Sequence, residues 1–225
     1  RLLNKQKVDK IILEKLKIKT KNPNLNDWKR VVKAKLVPEK EINVSFVGKY
    51  TELNDSYKSI NEALEHAGIK NKAKVNINFV EAENINPRNI NTTLKNADAI
   101  LVPGGFGSRG IEGMILACKF ARENNIPYLG ICLGMQVALI EYARNVLKLK
   151  NANSTEFDHK TKYPVIGLIT EWSDRSGKKE KRDKNSDIGG TMRLGGQLCV
   201  LKRKSNSYKM YKKIEIVERH RHRYE

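Results

Sequence analysis

Apolar positions along the chain recur with two periods, and the switches between them mark the elements. Val8, Ile11, Ile12 and Leu16 are spaced three and four apart with lysines between, which predicts an amphipathic helix. Lys17 to Asn26 is polar, contains Pro23 and reads as a linker. A second helix is expected over Asp27 to Leu36, capped by Asn26, with Trp28, Val31, Val32 and Leu36 on one face and Pro38 as its stop. These two helices read most simply as a basic amphipathic pair packing on a neighbouring domain.

From Ile42 the pattern changes. Residues 42–48 (INVSFVG), Lys74–Val80, Asp98–Val102 (DAILV) and Pro127–Ile131 (PYLGI) read as strands. DAILV is apolar enough to be buried on both faces. Helices are expected between them. One is capped by Asp55 or Ser56 and runs through Ala67, with Gly68 closing it at C′. Others are Arg88–Asn96, Ile111–Asn124 with a stripe of Ile111, Met114, Ile115 and Cys118, and Gly134–Leu147. Strands alternating with helices predict an α/β fold with a mostly parallel sheet covered on both faces. In such sheets ligands bind beyond the carboxyl ends of the strands. Past residue 150, Pro164–Thr170 and Met192–Leu201 are strand-like, and the polar run Ser173–Asp187 reads as a mobile surface loop.

Charge changes this picture less than its size suggests. The 225 residues carry a formal net charge of +19, which alone points to nucleic acid or an anionic membrane surface. Residues 1–43 hold +8, 44–172 only +2, and 173–225 hold +9. The βα core is nearly neutral, and no aromatic-basic interleaving supports a nucleic-acid module. A module of that kind remains a remote alternative. No apolar run reaches bilayer-spanning length. Three cysteines at 118, 132 and 199 form no disulfide framework, so a reduced, cytoplasmic setting is expected.

Two turns carry candidate chemistry. Gly130-Ile131-Cys132-Leu133-Gly134 follows a strand and opens a helix. A nucleophile on such a sharp turn needs small neighbours two residues away on either side. A helix N-terminus is expected to lower the Cys132 pKa, and the Leu133 N–H is placed to donate to an oxyanion. The plain alternative is a buried cysteine in an ordinary βα turn. Pro103-Gly104-Gly105-Phe106-Gly107-Ser108-Arg109-Gly110 follows the neighbouring strand and can turn backbone N–H groups toward an anion, with Gly105 N–H the chosen donor. It lacks the Lys-Ser/Thr of a Walker phosphate loop. The alternatives there are a flexible loop or a weak phosphate loop. Together the turns describe acyl transfer through a thioester. His220 and His222 alternate onto one strand face, but no third ligand is evident, so no metal is expected. Cys118, Cys199 and His159 read as structural or loop residues.

PGGFGSRG, GICLGMQVA, NSTEF, GGTMRLG and ERHRHRYE resemble the class I glutamine amidotransferases, and among these the glutaminase domain of the cytidine triphosphate (CTP) synthase family. The resemblance covers essentially residues 42–225 and extends into the basic N-terminal part. It implies a three-layer, flavodoxin-like fold for residues 42–225, with 1–18 as the end of a synthase (amidoligase) domain and 19–41 as a linker. It makes Cys132 the nucleophile toward L-glutamine and Gly105 and Leu133 the oxyanion hole. Gly134, Met135 and Gln136 would line the glutamine pocket, Glu156 would meet the α-ammonium and Arg223 the α-carboxylate. The family's catalytic His and its carboxylate lie in an H-P-E motif beyond RHRHRYE. The expectation is therefore a domain truncated at its C-terminus, weak or inactive alone. For the whole enzyme the resemblance implies ATP, Mg²⁺ and UTP in the synthase domain, activation by GTP through a lid at Arg182–Gly195, and a homotetramer. Another cysteine-elbow hydrolase or amidotransferase of the same fold is the alternative.

Overall fold

The structure is a computed structural model that describes residues 2–49, 56–173, 179–181 and 193–225. The chain clusters into two compact units. One comprises residues up to Glu41 together with Glu62–Lys74, the other Ile42–Asn61 and Val75–Glu225.

In chain order the elements are α1 (Leu2–Lys5), α2 (Val8–Lys15), α3 (Asn26–Leu36), β1 (Lys40–Gly48), α4 (Lys58–Lys70), β2 (Ala73–Glu81), α5 (Ile90–Thr93), β3 (Ala99–Val102), α6 (Ile111–Glu123), β4 (Tyr128–Gly130), α7 (Leu133–Asn145), β5 (Asn153–Ser154), β6 (Pro164–Ile166), β7 (Glu171–Ser173), β8 (Lys179–Lys181), β9 (Arg193–Val200), α8 (Asn206–Tyr211) and β10 (Glu215–His222).

In the first unit, α1, α2 and α3 bury no residue. The apolar stripe expected on α3 is present but open to solvent, with Trp28 68% and Leu36 71% exposed. Asn26 is not the cap. It is the first helical residue, and its N–H donates to Asn24 Oδ1 at 3.0 Å. The cap position is Leu25, which offers no side-chain acceptor, and the Asx turn of Asn24 satisfies the Asn26 N–H instead. Surface ion pairs Lys35–Glu65 and Lys72–Glu39 (2.7 Å) hold α3 and the β1 entry to the end of α4.

Gly68 does not close α4 either. The helix continues to Lys70, Gly68 is buried within it, and the chain turns at Lys72, whose φ is 53°. Helical hydrogen bonding thus outweighs the roughly 1 kcal/mol cost of an interior glycine. Asp55 lies outside the described residues. The Arg88–Asn96 helix shrinks to the four residues of α5, and the Pro164–Thr170 strand to the three of β6.

The second unit centres on a sheet with strand order β2-β1-β3-β4. β1 and β3 pair in parallel (Phe46 opposite Leu101), as do β3 and β4 (Val102 opposite Gly130). β3 is buried as DAILV predicts, with Ile100, Leu101 and Val102 at 2% exposure or less. The stripe on α6 is buried at all four expected positions, including Cys118. These side chains, with Leu133, Val137 and Ile140 of α7, form one core. Each such residue contributes about 1.5–3 kcal/mol by leaving water. Within it Glu141, 1% exposed, receives Arg122 through Nε (3.1 Å) and Nη2 (2.8 Å) and Asn145 Nδ2 (3.1 Å), so its charge is paired and bonded.

The rest of the unit is smaller sheets. β5 pairs with β6, and β7, which reaches the expected polar loop only at Ser173, pairs antiparallel with β8 inside it; much of that loop lies outside the described residues. β9 and β10 form an antiparallel hairpin from Arg193 opposite His222 to Val200 opposite Glu215. Past β10, Tyr224 bridges Leu168, and Gly167 and Glu225 exchange two backbone bonds of 2.9 Å. Among the described residues no helix is long and apolar enough to cross a membrane.

Candidate active site

Cys132 stands between β4 and α7, where the chain turns from strand to helix. Its backbone has φ 53° and ψ −105°. A non-glycine residue is rarely held there, and it persists only where the surroundings over-determine it. The surroundings are its two glycines. A Cβ on Gly130 would lie 2.5 Å from the Gly134 carbonyl carbon, and one on Gly134 would lie 2.1 Å from Val102 O. The Gly134 carbonyl also accepts from the Tyr128 hydroxyl at 2.8 Å. The strand side is fixed by Ile131 N–H donating to Val102 O at 2.9 Å.

The glycine-rich loop after β3 runs alongside. A Cβ on Gly104 would sit 3.4 Å from Cys132 Cβ and 4.0 Å from its Sγ, and one on Gly105 would meet Leu133 Cδ2 at 3.1 Å. The two turns therefore meet, as adjacent strand ends require.

The thiol departs from the sequence expectation. The Leu133 N–H bonds it and lowers its pKa, but burial is the larger effect and pushes it up, with Glu156 adding to the rise. The helix N-terminus does not win because partial burial costs the thiolate more than its bond from the Leu133 N–H returns. A thiol in this state needs a proton acceptor before it attacks.

NSTEF forms a turn from β5. Glu156 N–H donates to Ser154 Oγ at 3.1 Å, and Glu156 Oε1 accepts the Gly107 N–H at 2.8 Å. Arg223, just past β10, places its guanidinium carbon 5.9 Å from the Phe106 ring centre. Gln136 is buried, and its Nε2 donates to Tyr224 O at 2.7 Å, tying the Arg223 segment to α7. Met135 is 51% exposed beside the buried Gly134. Cys132, Gly104, Gly105, Leu133 and Glu156 thus share one neighbourhood, and Gln136 holds the backbone next to Arg223.

Lys49 was not legible as part of this site. A lysine just past a strand reads as surface. In the structure it is 3% exposed, and its Nζ donates to Phe106 O (2.9 Å) and Gly107 O (2.7 Å). Burial lowers its pKa, and Glu156 opposes this. The only advance signal is its place at the end of a strand beside the glycine loop.

The other candidates fall elsewhere. His220 Nε2 lies 3.6 Å from Cys199 Sγ, and His222 Nε2 3.6 Å from Glu225 Oε2. Burial lowers the His222 pKa, and Glu225 partly offsets it. Among the described residues no three His, Cys, Asp or Glu side chains are grouped to hold a metal. His159 is exposed in a turn. Of the expected lid, residues 182–192 lie outside the described residues, and Arg193–Gly195 begin β9.

Residues 52–225 match the glutamine amidotransferase class-I family. The chain belongs to the class I glutamine amidotransferases. A solved structure described as the Trypanosoma brucei CTPS glutaminase domain with bound acivicin is 38% identical to this amidotransferase. That likeness covers 82% of this chain and 67% of the other, with a TM-score of 0.70. The flavodoxin-like α/β fold and the cysteine-nucleophile mechanism are those of the family.

Proposed function

We propose that the chain is the glutamine-hydrolysing part of a CTP synthase. The observation that carries this is the meeting of two turns at adjacent strand ends, with Cys132 of one packed against Gly104 and Gly105 of the other. Support comes from the likeness to the trypanosomal glutaminase domain.

The chemistry follows from the groups present. Once deprotonated, Cys132 Sγ attacks the side-chain amide carbon of glutamine, and the carbonyl π pair moves to oxygen. The backbone N–H groups of Gly105 and Leu133 receive that oxyanion. Collapse expels the protonated amine as ammonia and leaves a thioester, which water cleaves to glutamate and free thiol. Glu156 holds the substrate α-ammonium and Arg223 its α-carboxylate, a pairing in which the Arg fork matches the two oxygens. Gly134, Met135 and Gln136 line the side of the pocket made by α7. The family's histidine with its carboxylate partner would take the thiol proton and return it to the leaving amine.

In the whole enzyme, residues 1–18 end the synthase domain and 19–41 link it to the amidotransferase domain. Ammonia passes to the synthase domain, where ATP with Mg²⁺ activates UTP for conversion to CTP. No metal or nucleotide cofactor acts in the glutaminase domain itself. GTP regulates the reaction, the enzyme is a cytoplasmic homotetramer, and neither nucleic acid nor membrane is a partner. The test uses the full-length protein. An electrophilic glutamine analogue is expected to label Cys132, and Cys132→Ala to abolish glutamine-dependent CTP formation while ammonia still supports it. Labelling elsewhere, or retained glutamine-dependent activity, overturns the assignment.

A further inference from the structure

We infer that Lys49 is a positioning residue of the glutaminase centre, fixing the Phe106–Gly107 peptide and through it the Gly105 N–H. This rests on the glutaminase reading above. A buried ammonium is costly unless acceptors surround it. Lys49 finds them in the main chain of the glycine loop, at Phe106 O (2.9 Å) and Gly107 O (2.7 Å). In a trans peptide the C=O and N–H point in opposite directions. The Phe106 C=O turns to Lys49, so the Gly107 N–H turns the other way, where Glu156 Oε1 accepts it at 2.8 Å. One peptide unit is therefore gripped from both sides by opposite charges.

The loop needs such a grip. Gly104, Gly105 and Gly107 give its backbone wide freedom, and Gly107 has φ 75°. An oxyanion donor is effective only when its direction is set before the charge forms. Lys49 does not act on the sulfur. The influences on the Cys132 thiol are burial, Leu133 and Glu156. The Lys49 backbone is itself held, since the Tyr57 hydroxyl donates to its carbonyl.

The test is Lys49→Met in the full-length protein. It is expected to lower kcat for glutamine hydrolysis about 10- to 100-fold while KM stays within about 3-fold, because orientation and not binding is lost. Alkylation of Cys132 by iodoacetamide, which forms no oxyanion, keeps its wild-type rate. A folded Lys49→Met with wild-type kcat overturns the inference. Hydrogen exchange at the Gly107 amide of the wild type gives a second check that needs no variant. Protection is expected, and exchange at the rate of an open loop overturns the inference even if Lys49→Met does not fold. The two readings fail separately. If Cys132→Ala keeps glutamine hydrolysis, the glutaminase assignment fails while exchange still judges the clamp. If Cys132→Ala is inactive and Lys49→Met is not impaired, only the role of Lys49 fails.

Discussion

The two turns that face each other at the strand ends are held by opposite means. The elbow around Cys132 is fixed by contact: Gly130 and Gly134 lie so close to their neighbours' backbone that no side chain fits. The glycine loop is fixed by charge at Gly107, where an added Cβ would meet nothing within 4 Å: Lys49 and Glu156 hold its peptide groups. The nucleophile must be stationary, and steric over-determination delivers that. The proposed role of the loop is to present an N–H in one direction, and bonds to its peptide groups set a direction without adding bulk.

The strongest way to break this contrast is to add the same methyl group to each turn. Gly134→Ala is expected to destabilise the protein by about 3 kcal/mol or more, or to prevent folding, because its Cβ meets the rigid Val102 carbonyl at 2.1 Å. Gly104→Ala meets only ordinary contact at 3.4 Å and is expected to fold with little loss. Urea unfolding of both variants decides it, and equal tolerance would refute the steric account of the elbow.

Next in size is Arg122→Ala on the helix behind the elbow. It strips the main partner from Glu141, 1% exposed, and is expected to cost about 3 kcal/mol, with Glu141→Gln costing less. Similar, small losses in both would place the pair outside the elbow's support.

A smaller effect is expected from Glu156→Gln. Its amide oxygen still accepts the Gly107 N–H but without charge, so stability should fall by about 1 kcal/mol and Gly107 exchange should quicken. A variant with unchanged exchange would leave the loop held by Lys49 alone.

The finest test is the pH profile of alkylation. Burial raises the Cys132 pKa, so its reaction with iodoacetamide should rise with a midpoint above the roughly 8.5 of a free cysteine. Cys118, pushed up to about 12 by burial, should stay unlabelled in the native protein throughout. Its raised folded pKa has a sign. The stability it contributes is full below the unfolded value near 8.5 and is lost as pH rises toward about 12. A Cys132 midpoint below 8.5 would restore the helix N-terminus as the dominant influence.

Much of this arrangement was legible in the sequence because it is local. DAILV, the α6 stripe and the spacing of Gly130, Cys132 and Gly134 each state their role within a few residues, and all three stand where the pattern puts them. What escaped is what joins distant residues. Lys49 and Phe106 are 57 positions apart, Gly107 and Glu156 49 apart, and no periodicity links them. Helix ends escaped for another reason. Lys7, Lys17, Lys72 and Lys212 occupy left-handed backbone where glycine or asparagine is the usual signal. The thiol pKa was missed because the sequence shows the helix that would lower it but not the depth of burial that raises it.

The bond from Gln136 to the Tyr224 carbonyl spans 88 positions. A ribosome makes the elbow well before the Arg223 segment, so α7 keeps a buried amide unmatched until 88 further residues have been made. A nascent chain thus carries its cysteine elbow before the distant segment that Gln136 ties to α7 exists.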